Sequence, residues 1–314
     1  MHILITGAAG FIGQLVAKKL LDDESAAHSL ILTDIIEPPI PSNPSRAKAI
    51  KADLYTESNK VVTKDVQAIY VFHGIMSSGA EADFELGMRA NFDATRALLE
   101  SIRHTCPGAR VVYASSQAVY NTSVTLPVTE SQLPTPETSY GAEKMMCEYL
   151  VSEYTRRGWI DGISLRFPTV SVRPGKPTAA ASSFLSGMIR EPMGGLKCTI
   201  PITDRQWRHW LCSPRILVRN LVFAATELHL DSVPKAERSL NHPGIGVSLQ
   251  DMRDSLERVG GQDKLDLLEE KEELALKTIL YSWPAEFDNT KALGLGFIRD
   301  SGFDEIVKDY VDGM

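Results

Sequence analysis

The sequence has no apolar run approaching the ~20 residues that a membrane span needs, so no spanning helix is expected. It has no basic cluster either. Lys and Arg number 33 against 40 Asp and Glu, a formal charge of −7, which argues against nucleic acid or an anionic membrane as partner. Cysteine is scarce. Cys106, Cys147, Cys198 and Cys212 stand apart with no CxxC pair, so neither a metal centre nor a disulfide is expected, and reduced core thiols are. Met1-His2 leads directly into Ile3-Leu4-Ile5. That start has no leader pattern, and with so few cysteines the expected compartment is the reducing cytoplasm. Asn121-Thr122-Ser123 is then a chance glycosylation match. Internal repeats and low-complexity tracts are absent.

What is present suits a packed α/β protein. Of 314 residues, 43% are hydrophobic, enough for one large domain or two joined ones. Short apolar runs at 3–5, 30–33, 69–72 and 110–114 read as buried strands. Between them, Phe11, Ile12, Leu15, Val16 and Leu20 repeat with helical spacing, as do Met88, Phe92, Thr95, Leu99 and Ile102. Residues 140–157 form a further helix stopped by Gly158, and 162–167 a sixth strand. Alternating strand and helix predicts a doubly wound parallel sheet. Residues 36–46, with four prolines, read as a loop. After Pro168, scattered prolines break the alternation. The expected organisation is a first domain over 1–170 and a smaller interleaved α+β cap over 171–314 that partly returns to the main sheet.

The first strand runs into Gly7-Ala8-Ala9-Gly10-Phe11-Ile12-Gly13 and then a helix. This is the Rossmann pattern for a dinucleotide. One glycine permits the tight turn, one lets the backbone approach the pyrophosphate, and one lets helix and strand pack closely. The helix N-terminus offers free N–H groups to the phosphates. Phe11 and Ile12 sit in that first turn. Asp34 ends the second strand at the spacing suited to the ribose hydroxyls, where it disfavours the extra phosphate of NADP. NAD is the expected cofactor. Asp53 and Leu54, after the third strand, are candidates for bordering the adenine.

Tyr140 and Lys144 lie four apart on one helix face. A phenol titrates near ~10, and an adjacent ammonium favours the phenolate, which brings a Tyr into range as a base. Ser116 falls at the carboxyl end of the strand over 110–115, the sheet edge where such folds bind ligands. Its hydroxyl is placed to hold a substrate oxygen beside Tyr140.

With Asn91-Phe92-Asp93-Ala94-Thr95, Ser115-Ser116-Gln117-Ala118-Val119-Tyr120 and Leu165-Arg166-Phe167-Pro168 added, the chain resembles the extended short-chain dehydrogenases/reductases. That group includes nucleotide-sugar epimerases and dehydratases. The resemblance implies Tyr140 as base, Lys144 on the ribose and tuning the Tyr, Ser116 on substrate, and Asn91 as the family Asn of the long helix. It adds His73, Pro168 and Val170 to the cofactor residues, and Gln117 to those near substrate. Segments 82–91, 154–158, 173–177, 179–184, 189–192 and 211–214 resemble the D-erythronate dehydrogenase family more closely. That likeness implies oxidation of the 2-hydroxyl of a four-carbon sugar acid with NAD. One departure stands out. The superfamily's small-residue run after the fourth strand is replaced by a shortened His73-Gly74-Ile75-Met76.

A sugar acid needs a cation for its carboxylate and hydroxyl partners for its alcohols. Candidates are Arg173, Lys176, Arg205 and Arg208, with Ser77, Ser78, Ser182 and Ser183 for the hydroxyls. Trp207 and Trp210 are equally suited to the core or to a pocket wall. The competing expectation is a nucleotide-sugar epimerase with tightly held NAD. The helices over 88–104 and 140–157 resemble those that pair in superfamily dimers, with Met146 and Leu150 on the outer face, so a homodimer is expected.

Overall fold

A computed structural model describes residues 1–177 and 180–313. Ala179, which opens the segment 179–184, lies outside the described residues. In chain order the strands are β1 (His2–Thr6), β2 (Ser29–Asp34), β3 (Ala47–Lys51), β4 (Ala68–Val71), β5 (Arg110–Ser116), β6 (Asp161–Phe167), β7 (Thr169–Val170), β8 (Cys198–Ile200), β9 (Arg208–Cys212), β10 (Ser239–Asn241), β11 (Ile245–Ser248) and β12 (Leu268–Glu270).

Seven of them form one sheet in the order β3-β2-β1-β4-β5-β6-β10. The pairs β1–β2, β1–β4, β2–β3 and β4–β5 are parallel. This is the doubly wound arrangement, and its order reverses between β1 and β4. In β1, Ile3, Leu4, Ile5 and Thr6 are all buried, as a strand with helices over both faces requires. Late chain adds β10 beside β6 at the sheet edge.

Two compact units result. The first comprises Met1–Val119, Thr138–Arg166 and Val218–Leu240. Its core joins Leu4, Ile69 and Val111 of the strands to Leu98, Leu99 and Ile102 of the helix Ala94–Thr105 and to Cys147 and Val151 of the helix Ser139–Arg156. Each such fully buried side chain contributes about 1.5–3 kcal/mol of transfer free energy. Arg110 ties the late segment to this unit, donating to the carbonyls of Ala224 (2.6 Å) and Leu228 (3.1 Å) while pairing with Asp161.

The second unit comprises Tyr120–Glu137, Phe167–Leu217 and the chain from Asn241 onward. It holds a three-stranded sheet, β11-β9-β7, and the pair β12–β8. Strand β9 runs antiparallel to β11 and parallel to β7. The helix Leu249–Gly260 starts on a reciprocal capping box between Ser248 and Asp251, which satisfies two otherwise orphaned N–H groups. Trp207 stacks on His209 (centroids 5.1 Å apart) and Tyr281 (5.8 Å).

Local departures from the sequence pattern are few. The helical stretch over 88–104 opens as a π turn, Met88–Asp93, before regular α-helix resumes at Ala94. Side-chain periodicity does not register one wide turn. The loop over 36–46 contains a short turn of 3-10 helix, Pro44–Arg46. The four cysteines are buried and unpaired. Among the described residues no helix is long and apolar enough to cross a membrane.

Candidate active site

The glycine turn closes tightly. Gly7 has φ +64°, and a Cβ there would lie 2.6 Å from the backbone N of His73. A Cβ on Gly13 would lie 2.5 Å from the Gly7 carbonyl oxygen. Both positions therefore demand glycine. Gly10 caps the helix Phe11–Asp22, which has no side-chain cap and no acidic residue in its first turn. Phe11 and Ile12, both half-buried, begin that turn, so its N–H groups are available to an anion. Asp34 accepts from the backbone N–H of Ala9 (3.0 Å) and of Ile35 (2.7 Å), which fixes the carboxylate against the turn. A cradle that a methyl would fill, an uncapped helix N-terminus and a strand-end carboxylate beside it fit a dinucleotide.

Behind the turn lies a polar layer. The Thr95 hydroxyl donates to the Asn91 carbonyl (2.7 Å), and its oxygen lies 3.2 Å from His73 Nε2. His73 Nδ1 meets the Thr6 hydroxyl at 2.9 Å. Burial and then the nearby Lys144 push the imidazole down to about 3, so it is neutral at physiological pH. Asn91 is 1% exposed. It accepts from Ile75 N (2.8 Å) and donates to Ile75 O (3.2 Å).

Tyr140 and Lys144 lie on the helix Ser139–Arg156, whose N-terminus is capped by Thr138 accepting from Gly141 N–H (3.1 Å). The buried Lys144 Nζ donates to the Ala114 carbonyl (2.9 Å). It lies 5.1 Å from the Tyr113 ring centroid and 5.5 Å from that of Tyr140. One ammonium thus bonds the helix Ser139–Arg156 to the end of β5, two residues before Ser116. Ser116 Oγ accepts from Ala118 N–H (3.1 Å) as the strand enters a turn of 3-10 helix over Gln117–Val119. A second clamp is fully buried. Glu148, four residues after Lys144, accepts from Ser115 Oγ (2.5 Å) and pairs with Arg166 of β6 (2.7 Å).

Of the remaining candidates, Asp53 caps the helix Leu54–Glu57 and pairs with Arg89 (2.9 Å), and Leu54 is buried. Ser77 and Ser78 begin the helix Ser77–Ala82 that follows the short loop. Gln117 is buried. These residues all belong to the first unit. Pro168, Val170, Arg173, Lys176, Ser182 and Arg208 belong to the second. There Val170 is buried in β7, and Arg173 Nε donates to the Val170 carbonyl (3.1 Å). Ser182 immediately precedes the helix Ser183–Met193. Lys176 is exposed, and Arg208 Nη2 donates to the Gly246 carbonyl (2.8 Å). Arg205 pairs with Glu270 (2.7 Å), while Trp207 and Trp210 are both buried. Sequence reasoning singled out neither Glu143 nor Glu148 for a role. Nothing in the spacing of carboxylates along the helix Ser139–Arg156 marks these two, rather than Glu153, as buried.

The chain is 37% identical over 316 residues to D-erythronate dehydrogenase of Haemophilus influenzae, covering 99% of both chains. It is 38% identical over 322 residues to D-erythronate dehydrogenase of Cupriavidus necator, covering 99% of this chain and 98% of that one. The crystal structure of a nucleoside-diphosphate-sugar epimerase from Agrobacterium tumefaciens superposes with a TM-score of 0.93 at 35% identity, covering 99% and 94% of the two chains. The model of the NAD dependent epimerase/dehydratase family matches residues 3–227, and the chain belongs to that family.

Proposed function

We propose that this chain is an NAD-dependent dehydrogenase that oxidises the 2-hydroxyl of a small sugar acid such as D-erythronate to the 2-oxo acid, with Tyr140 as base. That it is an oxidoreductase follows from its family and its relatives. The observation that carries the finer reading is the Lys144–Ala114 bond of 2.9 Å, which draws the Tyr140 helix onto the strand end bearing Ser116. The sugar acid comes from the names of the two near full-length relatives.

In this reading Ser116 Oγ donates to the substrate oxygen, and Tyr140 Oη takes the proton from the C2 hydroxyl. The Lys144 ammonium, facing the phenol ring, stabilises the negative charge that Oη carries before it accepts the proton, and holds the ribose. Bound NAD supplies the acceptor for the hydride that leaves C2. Gly7, Gly10 and Gly13 would hold its pyrophosphate, and Asp34 its adenosine ribose.

The test is NADH formation from a panel of four-carbon sugar acids, with UDP-sugars as controls, for wild type and Tyr140→Phe. Loss of the general base lowers turnover by about 10²–10⁴, with NAD binding retained. Near-normal turnover in Tyr140→Phe removes it from the base role. Interconversion of UDP-sugars without NADH from any acid replaces the dehydrogenase reading with an epimerase.

A further inference from the structure

Glu143 precedes Lys144 on the catalytic helix, and the mechanism above leaves it idle. It is 1% exposed. Its Oε2 accepts from Asn91 Nδ2 at 2.5 Å. Among the described residues its buried Oε1 has no hydrogen-bond partner. Burial raises its pKa, against the opposing pull of the Asn91 hydrogen bond and of Lys144. An apolar side chain would pack at this position at lower cost, so the carboxyl is there for what it binds.

What it binds is a relay to the cofactor cradle. The other polar contacts of the Asn91 side chain both go to the backbone of Ile75. Ile75 lies two residues after His73, whose backbone N is the atom a Cβ on Gly7 would strike at 2.6 Å. Two glycines keep the relay open. A Cβ on Gly74 would lie 2.3 Å from Asn91 Oδ1, and one on Gly87 would lie 2.3 Å from Glu143 Oε1. The π turn Met88–Asp93 carries Asn91 between them. An amide has one donor end and one acceptor end. Glu143 and the Ile75 carbonyl both require the donor end on the same side, so the carboxyl reinforces the Ile75 backbone in fixing which way Asn91 points. Flipped, the amide would set Oδ1 against the Ile75 carbonyl and Nδ2 against the Ile75 N–H.

We infer that Glu143 is a positioning residue for the cofactor: it orients the Asn91 amide and so holds the shortened loop over 73–76 against the glycine turn. This rests on the proposed NAD-binding function. Glu143 governs how tightly NAD is held and leaves the chemical step to Ser116, Tyr140 and Lys144.

The experiment measures NAD+ binding by calorimetry, and turnover at saturating NAD+, for wild type, Glu143→Ala, Glu143→Leu and Glu143→Gln. Glu143→Leu fills the buried volume and serves should Glu143→Ala fail to fold. The apolar variants are expected to bind NAD+ about tenfold more weakly, with kcat changed less than about threefold. Glu143→Gln still offers an amide oxygen to Asn91 and is expected to stay within about threefold of wild type on both counts. A folded apolar variant with wild-type NAD+ affinity overturns the inference alone. So does a loss confined to kcat, or a Glu143→Gln as weak as the apolar variants, which would assign the effect to charge. Wild type failing to bind NAD+ overturns the proposed function and this inference together.

Discussion

Alanine at Gly13 would place a methyl 2.5 Å from the Gly7 carbonyl oxygen and 2.8 Å from Ala8 Cα. Both neighbours are backbone, held by β1 and by the hydrogen bond from Ala8 N to Thr33 O (3.0 Å), so the helix must move away from the strand. Overpacking of this kind costs about 1–3 kcal/mol. Alanine at Gly7 meets the backbone of Phe72 and His73 at 2.6 Å and must also hold φ +64°. The left-handed conformation adds about 1–2 kcal/mol, so Gly7→Ala is the worst of the three. Gly10 is different. Its φ is −75°, and its Cβ would come no nearer than 3.1 Å, to the Gly7 carbonyl oxygen. The expected order of destabilisation in urea unfolding of the NAD-free protein is Gly7→Ala, then Gly13→Ala, then Gly10→Ala, the last within about 1 kcal/mol of wild type. Gly10→Ala should still weaken NAD+ in calorimetry, because its methyl stands where the pyrophosphate meets the helix N-terminus. The reasoning is refuted by a Gly13→Ala protein within about 0.5 kcal/mol of wild type, or by a Gly10→Ala protein as unstable as Gly7→Ala.

Three further outcomes follow from the same structure. Asp34→Ala should lose about 10–100-fold in NAD+ affinity, the worth of a charge-assisted hydrogen bond, and narrow the preference over NADP+; equal affinities of wild type for the two cofactors would take Asp34 out of the ribose role. Stability should fall below about pH 6.5, because burial pushes His73, His209 and His242 each down to about 3. The unfolded chain then binds protons that the native state does not, at about 1.4 kcal/mol per pH unit per histidine. Burial raises Glu143 and Asp300, whose contribution is present at low pH and lost as pH rises, so they oppose the imidazoles. A urea midpoint at about pH 5 equal to that at about pH 7.5 would contradict this. Light scattering at micromolar concentration should give a dimer mass that Tyr149→Lys reduces to monomer: Leu150, expected on the outer face, packs against the core, whereas Tyr149 is 60% exposed on the helix Ser139–Arg156; a wild-type monomer rejects the pairing.

The sheet and its glycine turn were legible because both are local. Ile3, Leu4 and Ile5 declare a strand covered on both faces, and Gly7 to Gly13 declare a turn whose neighbours are set by covalent spacing. Tyr140 and Lys144 were legible for the same reason, four residues apart on one helix. Long-range polar pairing was not. Asn91 lies 52 residues from Glu143, and Asp53 lies 36 from Arg89; no periodicity marks which carboxylate turns inward. Asp53 shows the ambiguity in a single residue. Its spacing after β3 suits an adenine border, while its side chain caps the helix Leu54–Glu57 and holds an arginine. The second unit was opaque because its short strands, such as Thr169–Val170 and Cys198–Ile200, are too brief to show a period.

The buried pair Glu148–Arg166 gives the sharpest test of how the helix bearing Tyr140 and Lys144 is held. Both side chains are under 5% exposed, and their atoms approach to 2.7 Å. Ser115 Oγ completes the set on Glu148. Arg166→Met leaves a buried carboxylate with only that hydroxyl, and an uncompensated buried charge costs about 3–5 kcal/mol. Arg166→Met combined with Glu148→Leu removes both charges. Replacing a buried ion pair by apolar residues of similar size is often close to neutral, so the double variant should be more stable than Arg166→Met alone. Its residual loss should reflect the Ser115 hydroxyl left without an acceptor, about 1–3 kcal/mol. Turnover separates packing from positioning. Ser115 adjoins Ser116, so the double variant should recover stability without recovering full activity, and adding Ser115→Ala should restore part of the stability by removing the orphaned hydroxyl. A double variant as unstable as the sum of its single changes would mean that the two residues act independently, and the clamp between helix and β6 would have to be sought elsewhere.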